Sequence, residues 1–175
     1  VPMISTTRSR CQKVNFRTLP REFVEDRLAT LRPDAEDAAR AYAAAHSDGS
    51  LGAALRFIDD GLFAMKRTWG DAMSRLVSGA RGQAPHSLAA PFLENAKTVA
   101  GQISERDPEM SDTDATRVGL QSLISLLADF YVDALRKKND ADIPLINVDQ
   151  PDVVHLLATR ADERALRLSI GILAD

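Results

Sequence analysis

The sequence predicts an all-α chain, a small helical bundle followed by a larger one. Three observations carry that prediction. Aromatic residues make up only 5% of the chain, while Ala and Leu dominate its 45% hydrophobic content, a balance that favours helix packing over a β-sandwich. Apolar residues recur at spacings of three and four through most of its length, which gives each helix one face to bury. Gly, Pro and short polar clusters interrupt that rhythm where helices should end. With 175 residues, 27% of them charged, the chain has the size and composition of one ordinary globular domain or two small ones.

The elements follow in order. Residues 11 to 16, CQKVNF, alternate, with Val14 and Phe16 on one face; this is a short extended piece that needs strands from elsewhere to form a sheet. Pro20 fits the first turn of a helix, and Val24, Leu28 and Leu31 then mark an amphipathic face until Pro33 ends it. The stretch DAEDAARAYAAAHSDG opens with acids, which suit the positive end of a helix, and closes on Gly49. SLGAALRFIDDG places Leu51, Leu55, Ile58 and Leu62 on one stripe, with Gly61 as its punctuation. Residues 17–62 therefore read as a compact three-helix bundle.

A longer system occupies residues 63–175. Met65, Trp69, Met73 and Leu76 share one helical face; Leu88, Phe92, Ala96, Val99 and Ile103 share another, which Pro91 either kinks or starts afresh. Ser111 and Asp112 are candidate caps. They precede the most hydrophobic helix, from roughly 113 to 138, whose Leu120, Leu123, Ile124, Leu127, Phe130, Tyr131 and Leu135 leave little polar face. Part of it should be buried centrally or at an interface. Two short helices near 152–158 and 162–173 close the chain. Trp69, Phe130 and Tyr131 are expected to pack in a core rather than stack on bases. There is no internal repeat.

Charge is unevenly placed. Arg8, Arg10, Lys13, Arg17 and Arg21 give the first 21 residues +5 with no acid, so the remainder carries −8 of the net −3. A mildly acidic body argues against phosphate binding by the helical bulk; direct DNA binding by the basic head alone would have to fall steeply with salt. A single cysteine, Cys11, excludes an intrachain disulfide and a cysteine-rich zinc site. No uninterrupted apolar run approaches the roughly 20 residues of a membrane span. The expectation is a soluble, cytoplasmic protein with no membrane partner.

Catalytic patterns are missing. His46, His86 and His155 are isolated from other ligands and read as surface or interface residues. No GxSxG elbow occurs. The pairs Asp59–Asp60 and Asp140–Asp142 fall at helix ends or in loops, where capping and solubility account for them. The phosphate-binding loop needs GxxxxGK(S/T), so that backbone amides and a lysine cradle the phosphates. None of the nine glycines is followed by lysine. This chain is not expected to be an enzyme or to hold a cofactor of its own.

One further pattern crosses these elements. TTRSRCQKVNFRTLP, with Ser9, Arg10 and Cys11 followed by Gln12, Phe16, Leu19 and Pro20, resembles the segment that closes the nucleotide-binding core of AAA+ clamp-loader subunits. In that family a three-helix lid follows, whose third helix starts at a Gly-Ser with an Ala-Leu behind it. Residues 48 to 55 here read DGSLGAAL. The resemblance is specific over residues 5 to 62 and only architectural over 63–175, where the family has a helical collar that joins subunits into a ring.

The resemblance implies a short strand and finger loop over residues 1–16 as the remnant of an AAA+ core, a lid over 17–62 and an oligomerising collar over 63–175. It implies that Arg10 is an arginine finger acting in trans on ATP held by a neighbouring subunit. A guanidinium is permanently charged and forked, so it suits phosphoryl charge. Ser9 and Cys11 would hold the turn that aims it. ATP-binding members carry a sensor arginine just after the Gly-Ser; Gly52 and Ala53 stand there, and Arg56 comes one turn later. That departure resembles delta-prime-type subunits of bacterial DNA polymerase III, which donate a finger without hydrolysing ATP. The implied partners are the other clamp-loader subunits and, through them, the sliding clamp and primed DNA. Two alternatives stay open. One is a gamma/tau-type ATP-binding subunit in which Arg56 takes the sensor role. The other is a free-standing helical interaction module that carries the motif by accident.

Overall fold

A computed structural model describes residues 17–79 and 84–174. The strand expected at residues 11–16, with Ser9, Arg10 and Cys11, lies outside the described residues. Within them the chain is all-helical, as its composition and periodicity predict. Helix α1 spans Arg21–Leu31, α2 Asp37–His46, α3 Leu51–Asp59 and α4 Leu62–Val77. A short 3-10 turn over Pro85–Leu88 leads into α5, Ala89–Arg106, and then come α6, Asp112–Lys138, α7, Pro151–Arg160, and α8, Glu163–Ala174.

The first three helices pack on one another as a bundle. Val24 and Leu28 of α1 are completely buried, each contributing about 1.5–3 kcal/mol of transfer free energy. Leu31, expected on the same face, is exposed, because no neighbour covers the last turn of α1 before Arg32 and Pro33 end it. The turn between α2 and α3 shows why a glycine stands at 49. Its φ is +77°, and a Cβ there would lie 2.6 Å from the carbonyl oxygen of Leu19. The Leu19 N–H donates to the Gly49 carbonyl at 3.1 Å. Only a residue without a side chain allows both the left-handed backbone and this close approach.

Helix α4 leaves the bundle at Gly61, in left-handed conformation with φ +62°, and it is through α4 that the bundle's backbone packs on the rest of the chain. Pro91 does not kink α5 but belongs to its fresh start after the 3-10 turn, standing in the first turn, where its missing N–H has no carbonyl to serve. Ser111 caps α6, its hydroxyl accepting from the Asp114 N–H at 3.1 Å. Acids Asp112 and Asp114 start α6 and Arg136, Lys137 and Lys138 end it, matching the helix dipole at both ends.

Helix α6 is the hub of the larger half, flanked by α5, α7, α8 and α4. By length and composition alone it is apolar enough to cross a membrane, with a mean hydropathy of 1.4 over 18 residues. Run length missed this, because isolated polar residues divide the apolar ones. In the fold, α6 turns Ala115, Gly119, Leu123, Leu126 and Phe130 inward. At Gly119 the α5 backbone comes so near that a Cβ would sit 2.5 Å from the Ala96 carbonyl oxygen. One apolar cluster runs from Val24, Tyr42 and Phe57 through Phe63 to Val99 and Leu126. A second joins Met73 and Phe130 to Val154, Leu157 and Leu166.

Candidate functional site

The motif residues that can be placed converge on the start of α3. Ser50 is its N-cap and accepts from the Ala53 N–H at 3.3 Å. Gly52 is exposed in the first turn. The guanidinium of Arg56 folds back over it, with Nη1 3.6 Å from where a Cβ on Gly52 would be. Helical register separates the two positions by one turn, and the length of the arginine side chain closes that gap. Thr18 and Leu19, which lead in from the basic segment, lie against Gly49 on the same turn.

Ala53 and Arg56 also line a cleft of about 630 Å³ between the bundle and the body. Its other walls come from Arg106 and Asp107 at the end of α5 and from Ser122 and Ser125 on α6. Buried Phe57, Leu62 and Ile103 form its floor. Both serine hydroxyls are already spent on helix carbonyls. Arg106 grips Asp60 through two bonds of 2.7 and 3.0 Å, a charge-assisted fork across the joint. Asp59 is held by Arg32 at 2.6 and 2.7 Å, and that hydrogen-bonded guanidinium draws its carboxyl below the usual carboxylate range. Asp59 ends α3 and Asp60 is its C-cap, the helix-end placing that the sequence implies, and beyond that each ties this end of α3 to a different neighbour.

A buried polar cluster on the other side of the joint was not foreseen. Lys66 of α4 has no solvent exposure. Its ammonium sits 2.5 Å from Asp149 and lies over the rings of Tyr42 at 4.7 Å, Phe130 at 5.2 Å and Phe63 at 5.7 Å. Burial pushes its pKa down, opposed by the Asp149 carboxylate. Tyr42 donates to Asp129 at 2.7 Å, and burial first, then that carboxylate, pushes the phenol well up. His46 stacks on Tyr42 with ring centroids 5.6 Å apart, its Nδ1 2.6 Å from the same Asp129 oxygen. Half-buried at the edge of the cleft, it joins α2 to α6, which fits the interface side of the expectation.

The third buried charge is Asp133. It accepts from the Ile146 N–H at 2.9 Å, the Asn147 N–H at 2.7 Å and the Asn147 carboxamide at 2.9 Å. Arg136 approaches it at 3.2 Å. The signal for Lys66 and Asp133 was present in the sequence: each occupies a core-facing step of an otherwise apolar stripe. Their chemistry is structural. A lysine with no exposed surface cannot meet a substrate carbonyl unless the fold opens, and its charge is already committed to Asp149. Among the described residues no cluster of His, Cys, Asp and Glu is arranged to hold a metal ion.

A separate apolar cavity of about 470 Å³ lies between α4, α5, α6 and α8, with Trp69, Met73, Phe92, Tyr131 and Ile172 in its walls. Trp69 and Phe130 are buried and Tyr131 half-buried, so these aromatics pack inside the helical body as expected. No family model, curated protein or solved structure matches the chain.

Proposed function

We propose that this chain is the C-terminal part of a bacterial DNA polymerase III clamp-loader subunit of delta-prime type. On this reading residues 17–62 are its lid and 63–175 its collar. It would work in the cytoplasm without a cofactor of its own, assemble with other clamp-loader subunits through the collar and act on the sliding clamp and primed DNA only through them. Its chemical contribution would be Arg10, placed by Ser9 and Cys11 against ATP bound to a neighbouring subunit.

The observation that carries the reading is the spatial pairing of its two motif segments. The chain leaving the Ser-Arg-Cys segment reaches Leu19, which is hydrogen-bonded to Gly49, the first residue of the Gly-Ser that opens α3. A finger loop rooted there would be rigidly referred to the lid. The three-helix bundle followed by a longer helical body supports the same reading.

A second reading has a specific observation in its favour. The Arg56 guanidinium lies over Gly52, the place where an ATP-binding subunit would carry its sensor. A gamma/tau-type subunit would use it to touch its own nucleotide. The coding sequence upstream of the Val1 codon decides between the two. A degenerate phosphate loop within an α/β core supports the finger donor, and an intact GxxxxGK(S/T) transfers the assignment to the ATP-binding type. An upstream sequence encoding no α/β core would defeat both.

A further inference from the structure

We infer that the connection between α6 and α7 is a strap that fixes how the three-helix bundle sits on the body, with Lys66 and Asp149 as its latch. The inference goes beyond the clamp-loader reading and stands without it.

The strap is held from three sides. Asp133 of α6 takes both of its central amides, those of Ile146 and Asn147. Lys66 of α4 takes Asp149, and the Gln150 carboxamide donates to the Arg67 carbonyl and to Asp71 at 3.1 Å each. Arg21, the first residue of α1, reaches the Leu145 carbonyl at 3.4 Å. One short segment thus touches the bundle, α4 and α6 together.

These bonds are not interchangeable with solvent. Lys66, Asp133 and Asn147 have no exposed surface, and the Lys66 ammonium and the Asp133 carboxylate meet their strap partners only while the strap is seated. An unseated strap leaves buried charge without a partner, which makes seating close to all-or-none. The remaining question is what the strap restrains. The bundle's backbone packs on the body through α4, and α3 faces α5 and α6 across the 630 Å³ cleft. On that side the Asp60–Arg106 pair spans the cleft above buried Phe57, Leu62 and Ile103. Releasing the strap leaves the bundle held by the Tyr42 and His46 bonds to Asp129 and by the shared apolar cluster, so it loosens the bundle about the Asp60–Gly61 joint without detaching it.

The test uses the whole chain with Cys11→Ser and spin labels on Glu22→Cys and Glu105→Cys, both exposed and on opposite sides of the joint. Two quantities are read: amide exchange at Ile146 and Asn147, and the label-to-label distance distribution. In Lys66→Met the two amides should exchange at least tenfold faster and the distribution should broaden. Protected amides would overturn the latch, and fast exchange with an unchanged distribution would overturn the restraint. If Lys66→Met does not fold, judged by helical circular dichroism, Asp149→Asn, which keeps the lysine in its aromatic cage, is carried through the same readings, and they decide.

Discussion

Replacing Asp133 by alanine removes a carboxylate that has no exposed surface and accepts from three donors at 2.7 to 2.9 Å. Two of those donors are backbone amides that cannot turn elsewhere. A buried donor left without an acceptor costs about 1–3 kcal/mol. Three such donors do not add fully, because the strap can lift and admit water. Arg136 retains its own access to solvent, so little is lost there. The expected penalty is about 3–5 kcal/mol, the range for removing one member of a buried charged arrangement. That is a large share of the roughly 5–15 kcal/mol that holds an ordinary domain together. Urea unfolding, followed by the fluorescence of Trp69, the single tryptophan, measures it directly. With a slope of about 2 kcal/mol per molar, the midpoint should fall by about 2 M. Asp133→Asn, which keeps one acceptor oxygen, should lose less. A loss below about 1 kcal/mol at unchanged slope would mean that the strap amides have other acceptors, and the account of the strap would be wrong.

Other outcomes follow from the same geometry. Tyr42 and Tyr131 are the only tyrosines, and burial pushes both phenols upward. Absorbance at 295 nm should therefore report tyrosinate at a higher pH than a free phenol does, and later for Tyr42 than for half-buried Tyr131. The sign agrees: Tyr42 is raised in the folded state, so its contribution is whole below its unfolded pKa of about 10 and is lost as pH climbs beyond it. Asp59 is shifted the other way by Arg32, so its contribution is present above the carboxylate range and lost on acidification. Arg32→Ala should flatten the acid limb of stability, modestly, since both partners are partly exposed. Gly119→Ala should cost about 1–3 kcal/mol in thermal or urea unfolding, because its Cβ would meet the Ala96 backbone at 2.5 Å. Ser50→Ala should cost about 1 kcal/mol through the lost α3 cap, read in the same assay.

The helices were legible because their signals are local. Spacings of three and four located the buried face of α5 and much of those of α1, α4 and α6. Helix α2 was read instead from its acids and Gly49. Helix α3 buries Ala54 and Phe57 beside the expected Leu51, Leu55 and Ile58, and Leu62 opens α4. Ser111 announced the start of α6 and Gly49 the turn before α3, each for a stereochemical reason that needs no tertiary context. What stayed hidden depends on partners distant in the chain. Lys66 finds Asp149, and Tyr42 and His46 find Asp129, over 80 residues away or more. No periodicity reports such pairings. Asp59 and Asp60 looked like solvated acids because Arg32 and Arg106 lie far from them in the chain. Leu31 shows the converse error: correct spacing places a residue on a face but does not supply the neighbour that would cover it. For the proposed function, Gly52 and Ala53 were readable as a departure from the family's sensor position, with Arg56 one turn on, whereas the return of the Arg56 guanidinium over Gly52 required coordinates.

The central claim is most directly tested by ATP hydrolysis. The full-length product of this reading frame would be assembled with the ATP-binding clamp-loader subunits of its own organism, as wild type and as Arg10→Ala. Single-turnover hydrolysis at the adjoining site should fall roughly 1,000-fold in the variant, the scale of a lost arginine finger, while assembly is unchanged. Equal rates in the two complexes, or no complex at all with the wild type, would contradict the account.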